Sequence, residues 1–131
     1  MKVLVCGSRD WIDGQTIKRE LQKLPSASIL IHGDCRGADK LSGYVGRQLG
    51  FEIRAYPANW GKYGSRAGPF RNQQMVDEEH RPEEPIDLVL AFHDDLGLGK
   101  GTADMKRRVL KAEIKFQHHT SIEYVDPESV V

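Results

Sequence analysis

Four short segments of this 131-residue chain hold side chains and glycines of the kind that grip a phosphate. They are Gly7-Ser8-Arg9, Gly33-Asp34-Cys35-Arg36-Gly37-Ala38-Asp39, the stretch Trp60 to Gly68 leading to Arg71-Asn72, and Gly97-Leu98-Gly99-Lys100-Gly101-Thr102. Glycines in such turns let the backbone N–H groups approach an anion, and the Thr102 hydroxyl can either cap a helix or bond a ligand. Arg9, Arg36, Arg66 and Arg71 lie in or beside these segments, and a guanidinium fork matches phosphate oxygens in pairs. Arg71 is the strongest of them, because it starts a helical stretch beside Asn72 just after a glycine-rich loop. The ordinary alternative is surface ion pairing with Asp10, Asp34 or Asp39, and a tight turn before a capped helix explains each glycine segment equally simply. Neither the P-loop spacing with its terminal Lys-Ser/Thr nor the G-x-G-x-x-G dinucleotide fingerprint is present.

Other residue types point less sharply. Trp60, Tyr63 and Phe70 bracket the long glycine-bearing loop, where an aromatic face would stack on a base at about 1–3 kcal/mol or else pack in the core. His93, Asp94 and Asp95 close an apolar run, but no partner spacing makes them a metal set. Cys6 and Cys35 are widely separated and read as small buried residues beside loops rather than as a disulfide or a zinc knuckle.

The elements that must position these groups follow from periodicity. Lys2 to Cys6 is an apolar run ended by a turn, and Ile17, Leu21 and Leu24 then recur at helical spacing between Gln15 and Leu24. The pattern repeats as a strand over Ser28 to His32, a helix over Ala38 to Leu49 and a strand over Phe51 to Tyr56. A long loop then leads to a helix from about Pro69 to His80 and a linker from Pro82 to Pro85. Asp87 to Phe92 is almost wholly apolar, the mark of a strand covered on both faces. A helix from Thr102 to about Phe116 and a strand over Ser121 to Val125 end the series. Alternating strands and helices imply right-handed crossovers and an α/β, three-layer, Rossmann-like open parallel sheet. The four glycine segments all fall after strands, where such a sheet binds its ligands. One domain spanning residues 1–131 is expected.

Composition sets the bounds. Lysine plus arginine and aspartate plus glutamate both number 19, so no net field attracts nucleic acid or an anionic membrane, and nucleic acid is not expected as a partner. No apolar run approaches the about 18 residues of a membrane span, and the first residues start a strand, so a soluble, cytoplasmic protein without membrane contact is expected.

Taken together, Gly7-Ser8-Arg9-Asp10-Trp11, His32 to Asp39, Ala58-Asn59-Trp60, Ala67-Gly68 with Arg71-Asn72-Gln73-Gln74-Met75, and Gly101-Thr102 resemble the YspA-like, cpYpsA-related family of the SLOG superfamily over nearly the whole chain. That superfamily is related to Smf/DprA and the Lonely-guy phosphoribohydrolases. The resemblance implies a nucleotide or nucleotide-derived ligand, a sensing or processing role, and a homodimer; no cofactor or metal is expected. It also carries over residue by residue from the Lonely-guy enzymes. Arg71 to Met75 is similar to their Arg-Lys-x-x-Met segment, and Leu98 to Met105 to their Gly-rich segment, but Met105 stands where they have a glutamate. Asp104 precedes it by one place and so points about 100° away on a helix.

Glycosidic cleavage needs a carboxylate to stabilise the oxocarbenium charge or to activate water. With Met105 unable to serve, an N-glycosidic hydrolase would draw on Arg71, Asp39 and Asp94. Binding alone would use Gly7, Ser8, Arg9, Gly33, Asp34, Arg36, Gly37, Ala38, Asp39, Trp60, Arg71, Asn72, Gly99, Gly101 and Thr102. A DprA-like single-strand binder is the remaining reading.

Overall fold

The computed structural model describes residues 1–97 and 99–122. Five strands, β1 (Lys2–Gly7), β2 (Ile29–His32), β3 (Glu52–Ala55), β4 (Leu88–Phe92) and β5 (Phe116–His119), form one sheet in the order β3-β2-β1-β4-β5. All four neighbouring pairs are parallel. The helices are α1 (Gly14–Leu21), α2 (Ala38–Gln48), α3 (Trp60–Tyr63), α4 (Ala67–Glu79) and α5 (Lys100–Lys111), with a 3-10 turn at Gly64–Arg66 between α3 and α4.

Both faces of the sheet are covered, as the period of two in β1 shows. Val3 and Val5 point into a cluster with Trp11, Ile17, Leu21, Val45 and Phe92, whereas Leu4 and Cys6 point into one with Met75, Val76, Met105 and Val109. The first cluster lies under α1 and α2 and the second under α4 and α5. Each helix therefore buries an apolar stripe on a sheet face, the arrangement that gives three layers. β4 is buried along its whole length, as its unbroken apolar sequence requires.

The carboxyl-terminal end departs from the periodicity. α5 stops at Lys111 instead of running to about Phe116, because Glu113 takes a φ of +60 and turns the chain. That turn frees Ile114 for the core and places the last strand at Phe116–His119, five residues before the expected Ser121. Of that expected strand, Ser121 and Ile122 lie outside any strand and residues 123–125 lie outside the described residues. The stretch Trp60 to Arg66, read as loop, contains α3 and the 3-10 turn, with the Asn59 carboxamide capping α3 through Lys62 N–H at 3.1 Å. The linker over 82–85 is a tight turn in which Arg81 and Glu84 bridge through their backbones.

Candidate functional site: a crevice at the strand ends

The chain turns one way out of β1 through β2 to β3 and the other way through β4 to β5, so the order reverses between β1 and β4. At such a reversal the loops diverge and leave a crevice beyond the carboxyl ends of the strands. A crevice of about 420 Å³ lies there, within the usual range for small-ligand pockets. Its base is Val5 to Asp10 at the end of β1. One wall is Gly33, Cys35 and Asp39 from the β2 turn with Arg71, Asn72 and Met75 from α4, and the other is His93 with Gly99 to Thr102.

The wall after β2 is satisfied from within. Asp39, only 6% exposed, accepts the N–H groups of Gly33 at 3.1 Å and Cys35 at 3.2 Å on the same carboxylate oxygen. Asp34 N–H donates to His32 Nδ1 at 2.9 Å and Ala38 N–H to the Ser8 carbonyl at 3.0 Å. The Asp39 carboxylate thus occupies the position an anion would take before α2. Burial raises its pKa to about 6, against the lowering effect of the two amides and of Arg71. Arg71 is itself buried, with Nε on Asn72 Oδ1 at 3.0 Å, Nη1 on the carbonyls of Gly33 and Tyr56, and Nη2 3.8 Å from Cys35 Sγ. These bonds make Arg71 the brace that joins β2, β3 and α4 behind the crevice wall.

The opposite wall is open. α5 begins at Lys100 after Gly99, and no side chain caps it. Thr102 is therefore a first-turn residue, not a cap; it is 5% exposed and lines the crevice. Gly101 is informative because a Cβ there would meet no neighbour within 4 Å. The protein's own packing does not call for glycine at that place, although glycine costs a helix about 1 kcal/mol relative to alanine. At Gly99 the reverse holds, since a Cβ would run into the His93 ring. His93 Nδ1 accepts Asp95 N–H at 2.9 Å, which leaves the hydrogen of the neutral ring on Nε2 beside Gly99. Burial, with His118 nearby, pushes the His93 pKa below its usual value and favours that neutral ring.

The gene 61 protein of Mycobacterium phage D29 is 34% identical to this chain over 122 residues, covering 86% of this chain and 91% of that protein. The chain belongs to the family of that phage gene 61 protein. YAcAr, described as the YspA, cpYpsA-related SLOG family, matches residues 1–63, which hold the turns after β1 and β2 and all of α3. The X-ray structure of DNA processing protein A (DprA) from Streptococcus pneumoniae shares the fold, with a TM-score of 0.51 at 15% identity over 88% of this chain. The chain spans 58% of that DprA chain.

The likeness to a DNA processing protein corrects one expectation. Zero net charge does not set nucleic acid aside as a partner, because a sum over the chain says nothing of where the charges sit. In this gene 61 relative, Lys62 and Arg66 are exposed and have no carboxylate partner among the described residues, whereas Arg54 is paired with glutamates and Arg71 is buried. Exposed charges act over about 8–10 Å at ordinary salt, so a local excess survives a neutral total.

Of the residues singled out from sequence, Gly7, Ser8, Arg9, Gly33, Asp39, Arg71, Asn72, Gly99, Gly101 and Thr102 line the crevice. Arg36 lies outside it, 3.3 Å from Asp10 in an exposed pair, and Asp34 lies 3.8 Å from Lys40. Gly37 has a φ of +79 and sits against the Ser8 and Arg9 carbonyls with no room for a Cβ, so it and Ala38 serve the seam between two turns. Trp60 lies outside the crevice with Arg9 over its ring at 5.5 Å. Asp94 is held by Ser121 through N–H at 2.7 Å and hydroxyl at 3.0 Å, away from the crevice. Cys35, expected to be buried, is partly exposed in the crevice wall. Asp10, His93 and Lys100 also line it, and the signal for each was its place after a strand.

Proposed function

We propose that the chain binds a nucleotide unit by resting its phosphate on the amino terminus of α5. The observation that carries this reading is the open wall: an uncapped helix start, Thr102 in its first turn lining the crevice, and the space left free at Gly101. Helix N–H groups and the helix dipole favour an anion there. Lys100 adds charge at the same wall, Arg9 adds it from the crevice floor, and His93 offers a neutral N–H donor. The match of residues 1–63 to a SLOG family and the fold shared with a DNA processing protein support a nucleotide as the ligand.

Binding is better supported than glycosidic cleavage. Met105, at the position of the hydrolases' glutamate, is fully buried in the core under α4 and α5. Asp104 is engaged by Asn72 at 3.0 Å and by Arg108 at 2.8 Å. Burial works against its ionisation, but these hydrogen bonds outweigh burial and hold its pKa below the usual value. Asp39 is the carboxylate within the crevice closest to such a role, and two backbone amides already occupy it.

Calorimetry with nucleoside monophosphates, the matching nucleosides and inorganic phosphate tests the proposal. Monophosphates should bind, and at 100 times the dissociation constant should stabilise the fold by about 2.7 kcal/mol. Thr102→Val keeps the shape and removes the hydroxyl, and should weaken binding by about tenfold, the equivalent of roughly 1.4 kcal/mol. Nucleosides binding as tightly as monophosphates, or no binding of either at millimolar concentration, would overturn it.

A further inference from the structure

Three large aromatic side chains stand on the surface beside the crevice. Trp60, Tyr63 and Phe70 are 46%, 41% and 50% exposed, although each is bulky enough to serve a core. They form a ridge along α3 and the start of α4. Tyr63 and Phe70 meet edge to face with centroids 5.0 Å apart, and Trp60 rests against α4, where a Cβ at Gly68 would come 3.3 Å from its ring.

Cations are interleaved with the rings. Arg9 lies 5.5 Å above Trp60 and Lys62 lies 5.1 Å from the Tyr63 ring, and Arg66 is exposed in the 3-10 turn between them. None of these three has a carboxylate partner among the described residues, in keeping with the absence of acidic residues from 53 to 76. Arg9 also lines the crevice, so the ridge and the crevice share a side chain. Half-exposed aromatic rings set among unpaired cations match one chemistry: flat bases joined by phosphates.

We propose that the ridge binds single-stranded nucleic acid, with bases stacked on Trp60 and on the Tyr63–Phe70 pair and the terminal phosphate in the crevice. This rests on the reading of the crevice as a phosphate site and extends it from one nucleotide to a strand. Arg9 stands at the junction, over the Trp60 ring and beside the terminal phosphate. Lys62 and Arg66 meet the phosphates that follow. A duplex keeps its bases stacked on each other and offers the rings nothing, so the ridge selects unpaired strands.

Fluorescence anisotropy tests this with a labelled, 5′-phosphorylated ten-residue thymidine strand, the same strand annealed to its complement, and dTMP and inorganic phosphate as competitors. The single strand should bind at least tenfold more tightly than dTMP and than the duplex. Trp60→Ala should lose about 5- to 150-fold for the strand, the range reported per stacked base, while inorganic phosphate binds unchanged; Trp60→Phe should restore most of the loss. Because Trp60 is exposed, both variants should melt like the parent. If phosphate and dTMP bind but the strand binds no more tightly, the ridge proposal falls and the crevice reading stands. If none binds, both fall. If Trp60→Ala changes the sedimentation of the free protein and leaves strand affinity alone, the ridge is a contact between copies of this chain and the proposal is overturned.

Discussion

At the scale of single residues, the crevice sets an internal carboxylate against an open anion site. Asp39 is raised to about 6 by burial, while two amides and Arg71 hold it from rising further. A carboxyl raised in the folded state binds more protons there than in the unfolded chain between about pH 4 and 6, so its contribution to stability falls as pH climbs through that window. Asp39→Asn keeps an oxygen for Gly33 and Cys35 N–H and removes the charge. The variant should match the parent in thermal melts below about pH 4 and exceed it at pH 7.5 by roughly 1–3 kcal/mol, at about 1.4 kcal/mol per pKa unit. An unchanged or lower melting temperature at pH 7.5 would mean that Arg71 holds the carboxylate charged at no cost. Arg71 shows the limit of reading residue type alone. Its position after a glycine-rich loop announces importance, but only the fold reveals that its donors face Gly33, Tyr56, Asn72 and Cys35.

At the scale of elements, α5 trades helix stability for an open end. Gly101 in its first turn meets nothing that forbids a methyl group, so Gly101→Ala should raise stability by about 1 kcal/mol through helix propensity. The same methyl group would stand in the crevice, and phosphate affinity should fall at least fivefold. Denaturant unfolding and calorimetry on one preparation check both halves; a variant that is more stable and binds equally well would place the phosphate elsewhere. Most elements were legible in the sequence, because β1, β2 and β4 are apolar runs ended by turns and α1 and α2 carry plain helical periodicity. The end of α5 was not, since Glu113 takes a left-handed conformation that a glycine would have announced. The glycine turns do follow strands, and those after β1, β2 and β4 border the crevice. Which turn is already satisfied and which is open depended on Asp39 folding back onto its own loop, a contact that spacing does not reveal.

At the scale of the whole molecule, neutrality is the sum of unlike regions. Acidic residues gather elsewhere: Glu79 and Glu84 hold the buried Lys2 at 3.0 and 3.4 Å, and Glu20 takes Arg19 and Lys23, each at 3.0 Å. Asp10 and Asp39 line the crevice, but Arg9, Lys62, Arg66 and Lys100 have no ion-pair partner among the described residues. Strand binding should therefore depend on salt although the chain has no net charge. Each phosphate neutralised on a single strand adds about −0.7 to the slope of log K against log salt. Engagement of two to four of these cations predicts a slope of roughly −1.4 to −2.8. Lys62→Ala should reduce it by about 0.7, whereas Lys23→Ala, a cation held by Glu20, should leave it unchanged. The measurement is strand affinity by anisotropy over a series of salt concentrations. A slope near zero with affinity intact would show that the rings bind bases without phosphate contacts, and an equal effect of both substitutions would show that the total charge, not its placement, governs binding.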